Sequence, residues 1–255
     1  MAEWWQEFFD EDYLKVYRKR DAKMTDTDVA FARKVLKLRK GHRILDICSG
    51  YGRHSIRFAL AGLHVTGIDQ SRLFLDRSRR AAQRQKVTVN WVQGDVRTME
   101  FPPVFDAAVN LFTSIGYFES DEENYQIVAR GTGALKPGGR LLIDTINRDR
   151  ITRNPQRQSW APVGRGVQLE RTSFDWERGR LDSRRVLMMP DGERRETMIS
   201  LRLYTVSELR AMYERAGLEI EGLYGSTAGV RFAPDSPRIA IVGRKPGGRR
   251  SRKRR

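Results

Sequence analysis

Between residues 43 and 147 short apolar runs alternate with amphipathic stretches, and this constrains the chain more than any other feature. RILDI (43–47), HVTGID (64–69), FDAAVNLF (105–112) and RLLIDTI (140–146) are runs of strand length, and VTVNWVQGD (87–95) contains another. Runs of this kind suit strands covered on both faces. Between them lie RHSIRFALAG (53–62), closed by Gly62, SRLFLDRSRRAAQRQ (71–85) and DEENYQIVARGTGAL (121–135), each with helical spacing. The acids opening the third stretch suit a helix N-terminus. KPGG (136–139) reads as a turn. Strand–helix alternation of this length predicts a doubly wound parallel sheet.

The flanks read differently. WWQEFF (4–9) and YLKVYRKR (13–20) suggest a short amphipathic helical region, and Trp4, Trp5, Phe8 and Phe9 need a buried site, as in a lid. TDTDVAFARKVLKLRKG (25–41) is expected to be a helix with capping residues at its start and Gly41 at its end. After residue 150, VQLERTSFDWERGR (167–180), LDSRRVLMMPDGE (181–193) and RRETMISLRLY (194–204) alternate like antiparallel strands. TVSELRAMYERAG (205–217) opens with the spacing of a capping box, Thr205 to Glu208. LEIEGLYG and RIAIVGR close the sheet. The expected divisions are a lid (1–40), a cofactor-binding core (41–150), an antiparallel β insertion (151–204), completion of the core (205–244) and a disordered basic tail (245–255).

Composition removes several classes. The chain has 255 residues, enough for one large α/β domain or one domain with an insertion. No apolar stretch approaches a bilayer span, and MAEWWQEFFDEDY is too acidic for a signal peptide. The single Cys48 excludes an intrachain disulfide and a multi-cysteine zinc site, and three dispersed histidines argue against a histidine metal site. No metal is expected, and a cytoplasmic protein is the economical reading. Of the net charge of +16, the tail RKPGGRRSRKRR (244–255) supplies eight positive charges, leaving +8 on the rest. The tail reads as a solubilising arm or as a nonspecific contact for nucleic acid.

Ligands of open α/β sheets sit at the carboxyl ends of the strands. Here those ends carry Asp46, Asp69 and Asp95 in succession, then NLFTSIGYF (110–118). Gly50 and Gly52 permit a sharp turn and close approach of a ligand. Asp69 suits the two hydroxyls of a ribose, and Asp95 the exocyclic amine of an adenine. Three carboxylates would repel a phosphate but accept a cationic amino-acid group attached to adenosine. Ser55 stands where the dinucleotide fingerprint requires its third glycine, no Tyr-x-x-x-Lys pair occurs, and the Gly-Lys-Ser/Thr ending of a P-loop is absent.

Taken together, ILDICSGYG, GID, GDV and LKPGGRLLID resemble the class I S-adenosylmethionine-dependent methyltransferases, over about residues 27–147 and 205–244. Cys48 stands where that family has its first glycine. The closer resemblance is to bacterial small-molecule N-methyltransferases of the glycine/sarcosine and aminosugar types, on YLKVYRKRD, CSGYGRHS, TSIGYF and the strands of 158–204. The resemblance implies a seven-stranded Rossmann-like sheet with a β-rich insertion and an N-terminal helical lid. It implies S-adenosyl-L-methionine as cofactor and a small-molecule acceptor, most readily an amine nitrogen, with oxygen and carbon open. Asp46 and the backbone of Ser49, Gly50, Tyr51 and Gly52 would hold the aminocarboxylate end. Asp69 and Gln70 would hold the ribose, and Asp95 and Val96 the adenine. Asn110, Leu111 and Phe112 would line the reacting edge, and Tyr17 would close over the methionine end.

Tyr17, Tyr117 and His54 are candidates for acceptor positioning or proton removal, each with a plain packing or capping alternative. Trp160, Trp176, Met188 and Met189 are either acceptor-pocket wall or core. The insertion's arginines serve either an anionic acceptor or solvated strand faces, and the insertion itself roofs the acceptor pocket or joins copies into a homo-oligomer. An RNA methyltransferase using the tail and a noncatalytic binding protein on the same fold are the rival readings. The fourth strand lacks the Asn/Asp-Pro-Pro-Tyr signature of adenine-amine methyltransferases, and Cys48 lies in the cofactor loop rather than at a nucleophile's position.

Overall fold

The computed structural model describes residues 4–10, 13 and 22–247. Tyr17 and residues 248–255 of the tail lie outside the described residues. In chain order the elements begin with α1 (Trp4–Phe8), α2 (Ala22–Val35), β1 (Arg43–Ile47), α3 (Arg53–Leu60), β2 (His64–Asp69), α4 (Arg72–Arg84), β3 (Asn90–Gln93) and β4 (Phe105–Asn110). They continue with α5 (Asp121–Ala134), β5 (Leu135–Ile146), α6 (Arg148–Arg153), β6 (Gln158–Val163), β7 (Gly166–Asp175), β8 (Arg180–Met188) and β9 (Arg194–Arg202). The last are α7 (Val206–Arg215), β10 (Glu219–Tyr224) and β11 (Arg238–Arg244).

The first sheet has seven strands in the order β10-β11-β5-β4-β1-β2-β3. β1 to β5 run parallel, and β11 and β10 add on antiparallel. Side-chain alternation divides its apolar residues between two layers. Leu45, Ile47, Leu141, Ile143, Ile239 and Ile241 point to the layer holding Ile127 of α5 and Tyr213 of α7. Ile44, Ala107, Val109, Leu142, Ala240 and Val242 point to the layer holding Phe31 of α2 and Phe58 of α3. The strand order reverses direction at β1 and β4, which opens a crevice at their carboxyl ends.

Two local expectations are corrected. The helix expected over 25–41 runs Ala22–Val35. Lys37 turns the chain at φ 56°, and Leu36 and Leu38 are buried instead of continuing the helix. β5 begins at Leu135, before KPGG, and its pairing with β4 jumps from Phe105↔Leu135 to Ala107↔Arg140. KPGG is therefore an outward loop within the strand, with Gly138 at φ 83° and its N–H donated to the Lys245 carbonyl.

β6 to β9 form a separate four-stranded antiparallel sheet. It is tied to the core by polar groups. Arg180, 1% exposed, donates to Ser200 and to the carbonyls of Phe118 and Glu119. Arg202 pairs with Asp121 at 3.0 Å and Glu208 at 2.5 Å, and the Tyr204 hydroxyl donates to Asp121 at 2.8 Å. Both helices reached this way carry capping boxes, Ser120 with Glu123 and Thr205 with Glu208. No helix among the described residues is long and apolar enough to cross a membrane.

Candidate active site

The loop between β1 and α3 bends through three left-handed residues, Cys48 (φ 58°), Gly50 (φ 57°) and Gly52 (φ 78°). Glycine tolerates this conformation and cysteine does so at a cost. A Cβ at Gly52 would stand 2.5 Å from Trp91, whereas one at Gly50 would meet nothing within 4 Å. Gly52 is thus required for packing and Gly50 faces open space. The Gly50 N–H donates to Asp69 Oδ2 at 2.8 Å, and the Ser71 N–H donates to Oδ1 at 2.9 Å. The end of β2 therefore fixes the loop after β1.

Above this loop lies a cavity enclosing about 920 Å³ of empty space with its mouth included. Cys48, Ser49, Gly50, Tyr51, Asp69, Gln70, Asp95, Val96, Leu111, Phe112, His54 and Tyr117 all line it. Of the expected cofactor residues, Asp46, Gly52 and Asn110 do not. Asp46 shares the face of β1 that carries Ile44, so its carboxylate points down onto α3 and accepts the Ser55 hydroxyl at 2.5 Å. Burial pushes its carboxyl up to about 7. Asn110 is fully buried and donates to the Ile47 carbonyl at 3.0 Å, bracing β1 against β4. Both residues support the floor from beneath.

Asp95 lines the cavity, where Arg97 grips it through Nε at 2.9 Å and Nη2 at 2.7 Å. Burial raises the Asp69 carboxyl, while at Asp95 the Arg97 bonds outweigh desolvation and lower it. His54 binds Asp28 through Nε2 at 3.0 Å, and Arg53 reaches the same carboxylate at 3.2 Å. Burial pushes the imidazole down to about 4, so His54 is neutral near pH 7. Burial likewise pushes the Cys48 thiol up, so it stays protonated.

Further aromatic residues form the wall, of which Tyr13 and Phe74 carry no sequence signal that singles them out. Trp5, Phe9 and Tyr13 line the cavity from the N-terminal segment, where an aromatic lid was expected. Phe74 and Phe118 complete the wall; Phe74 lies in the first turn of α4, five residues beyond Asp69. Phe112 (φ 70°) and Thr113 (φ 61°) are consecutive left-handed residues. Asp144 holds both, its carboxylate accepting the Phe112 N–H at 3.0 Å and its carbonyl the Thr113 N–H at 2.9 Å. Arg238 in turn grips Asp144 through two nitrogens, at 2.6 and 2.8 Å. An acid inside the buried run RLLIDTI signals the need for a cation, but its partner lies 94 residues away.

No arginine of the insertion lines the cavity. Arg184 and Arg194 pair with Glu196, Arg185 with Glu170, Arg195 with Glu193 and Arg178 with Glu119. Trp160 (72% exposed), Trp176 (66%) and Met188 (48%) lie on the surface, neither core nor cavity wall. Among the described residues no group of three or more His, Cys, Asp or Glu side chains could hold a metal ion.

The donor set fits a sulfonium nucleoside. Two acids stand where hydroxyls and an amine would donate, Gly50 leaves space above the loop, and the buried Ser49 Oγ has no partner among the described residues. Residues 44–139 match the family described as "Methyltransferase domain". The chain thus carries a methyltransferase domain, and with the relatives and folds below this supports an S-adenosylmethionine-dependent methyltransferase of class I.

Individual proteins sharpen the comparison. The chain is 28% identical over 209 residues to the cypemycin N-terminal methyltransferase of a Streptomyces species, covering 79% of this chain and 82% of that one. It is 33% identical over 120 residues to a glycine/sarcosine N-methyltransferase of Aphanothece halophytica, covering 46% and 45%. It is 30% identical over 124 residues to a ubiquinone biosynthesis O-methyltransferase of Marinobacter nauticus, covering 49% and 50%. The chain thus spans about half the length of these last two relatives. In fold it is similar to an S-adenosylmethionine-dependent methyltransferase of Clostridium acetobutylicum, with a TM-score of 0.78 at 15% identity over 92% and 96% of the two chains. An amino pentose methyltransferase of Micromonospora echinaspora, solved with the cofactor bound, gives a TM-score of 0.67 at 22% identity over 89% and 93%.

Proposed function

We propose that the protein methylates an amine nitrogen of a small organic acceptor. One observation carries this reading: the cavity wall is aromatic, and among the described residues no side chain in it is a free base. His54 is neutral but occupied by Asp28, and the two acids of the lining stand at the nucleoside end. When bound, the cofactor supplies an electrophilic methyl group on a sulfonium. Trp5, Phe9, Phe74 and Tyr117 exclude water, which disfavours the charged form of a buried amine and so favours its nucleophilic form. A neutral amine needs no strong base to attack, whereas a phenol or acidic carbon gains from one. The cypemycin N-terminal methyltransferase, matched over 79% of this chain, supports this reading; the glycine/sarcosine N-methyltransferase and the ubiquinone O-methyltransferase each match about half the chain and weigh equally on either side.

Asp69 and Gln70 are assigned to the ribose, Asp95 and Val96 to the adenine, and the backbone at 49–52 to the aminocarboxylate. Leu111 and Phe112 are assigned to the reacting edge, and Tyr117 to acceptor positioning; Tyr17 keeps its proposed place over the methionine end. The four-stranded sheet is read as a cover over the acceptor side, with its exposed outer face available to a second copy. Incubation with labelled cofactor and fractionated cell metabolites tests the function. Label in a small amine is expected; label in RNA, or in a carboxyl or phenol ether product, contradicts the proposal.

A further inference from the structure

Arg97 stands beside Asp95 at the cavity wall and is bonded on several sides. Its side chain is four-fifths buried, so its guanidinium needs partners. Nε and Nη2 donate to Asp95, and Nη1 donates to Glu123 of α5 at 2.6 Å. Its faces are used as well: the guanidinium carbon stands 4.5 Å from the Phe118 ring centroid and 5.3 Å from that of Trp5. Trp5 is 4% exposed and meets Phe118 edge-on at 5.4 Å. One cation therefore joins an acid of the cavity, the cap of a core helix and the N-terminal segment that covers the cavity.

The shared cation makes the junction responsive. Among the described residues, Asp95 and Glu123 both set their carboxylates on Arg97. Hydrogen-bond donors of a ligand reaching Asp95 act on the same carboxylate that orients the guanidinium. The plane of the guanidinium is set by its two bonds to Asp95, and that plane is what Trp5 and Phe118 pack on. Holding Asp95 in place therefore also holds Trp5 in place.

We propose that Arg97 is a positioning residue that latches the N-terminal aromatic segment to the adenine end of the cavity, so that nucleoside binding and closure are coupled. The proposal rests on the assignment of Asp95 to the adenine. By reciprocity, a residue that couples closure to binding alters both.

The test uses the full chain labelled with 5-fluorotryptophan, with the Trp5 resonance assigned by its loss in Trp5→Phe. S-adenosylhomocysteine is the probe, and its affinity is measured by calorimetry. In Arg97→Met the Trp5 signal is expected to move toward its solvent-exposed position, and saturating probe does not restore it. The dissociation constant rises about tenfold, as for loss of a desolvated cation–π contact with a charged bond. Glu123→Gln keeps the capping box and should move Trp5 the same way by less, which keeps the test open should Arg97→Met fold poorly. A Trp5 signal in either variant matching wild type, free and saturated, overturns the latch. Failure of the wild type to bind the probe would instead sink the cofactor assignment on which it rests.

Discussion

The two sheets of this molecule are held by different physics. The seven-stranded sheet is clamped between apolar layers, and Ile143, Ile239 and Ile241 have no exposed surface. The four-stranded sheet carries Arg–Glu pairs on partly exposed strands and leaves Trp160, Met188 and Met198 at the surface. It is fastened to the core by two arginines, Arg180 and Arg202, at the loop that also carries Tyr117 and Phe118. The core holds Asp69 and Asp95 at its strand ends. The second sheet attaches through polar bonds to the loop carrying Phe118, outside the apolar layers.

That contrast predicts a graded series of stability effects. Ile143→Ala should cost about 2–5 kcal/mol in urea unfolding, as for a fully buried aliphatic residue. Asp46→Asn should act next, with a defined sign. The carboxyl lies at about 7 in the folded protein against an ordinary 3.8, so the folded state keeps a proton that the unfolded chain releases. Wild-type stability is therefore full below about pH 4 and falls until about pH 7. The variant escapes that fall and should gain on the order of 2–4 kcal/mol relative to wild type by neutral pH. A gap that stays constant across this range would contradict the buried, proton-holding Asp46.

Polar attachments follow. Arg202→Met leaves Asp121 and Glu208 without their cation and should cost about 1–3 kcal/mol. Arg184→Ala, on the exposed outer face, should leave the unfolding midpoint where it was. Equal effects at Arg202 and Arg184 would erase the distinction between junction and surface.

The legibility of the sequence divides along the same line. In the core, short apolar runs, helical spacing and the strand-end acids are all local signals, so the sheet, Asp69 and Asp95 could be read directly. Asp46 could be placed at the strand end, but its orientation depends on strand parity relative to α3, and the structure turns it toward Ser55. The Asp144–Arg238 clamp, Asn124 holding the N–H groups of Gly116 and Phe118, and Arg180 beneath Phe118 are set by tertiary pairing. Arg180 shows the limit clearly. In sequence it is one arginine among many in an amphipathic strand, and only the fold distinguishes it from its solvated neighbours.

The central claim is that Asp69, held by two backbone N–H groups at the end of β2, anchors a sulfonium nucleoside. Calorimetric titration of S-adenosylhomocysteine into wild type, Asp69→Ala and Arg184→Ala tests it most directly. The account predicts one site per chain in the wild type, affinity weaker by about 10- to 100-fold in Asp69→Ala, as for lost charge-assisted bonds, and unchanged affinity in Arg184→Ala. Equal affinity in all three proteins, or no binding to the wild type at millimolar probe, would contradict it.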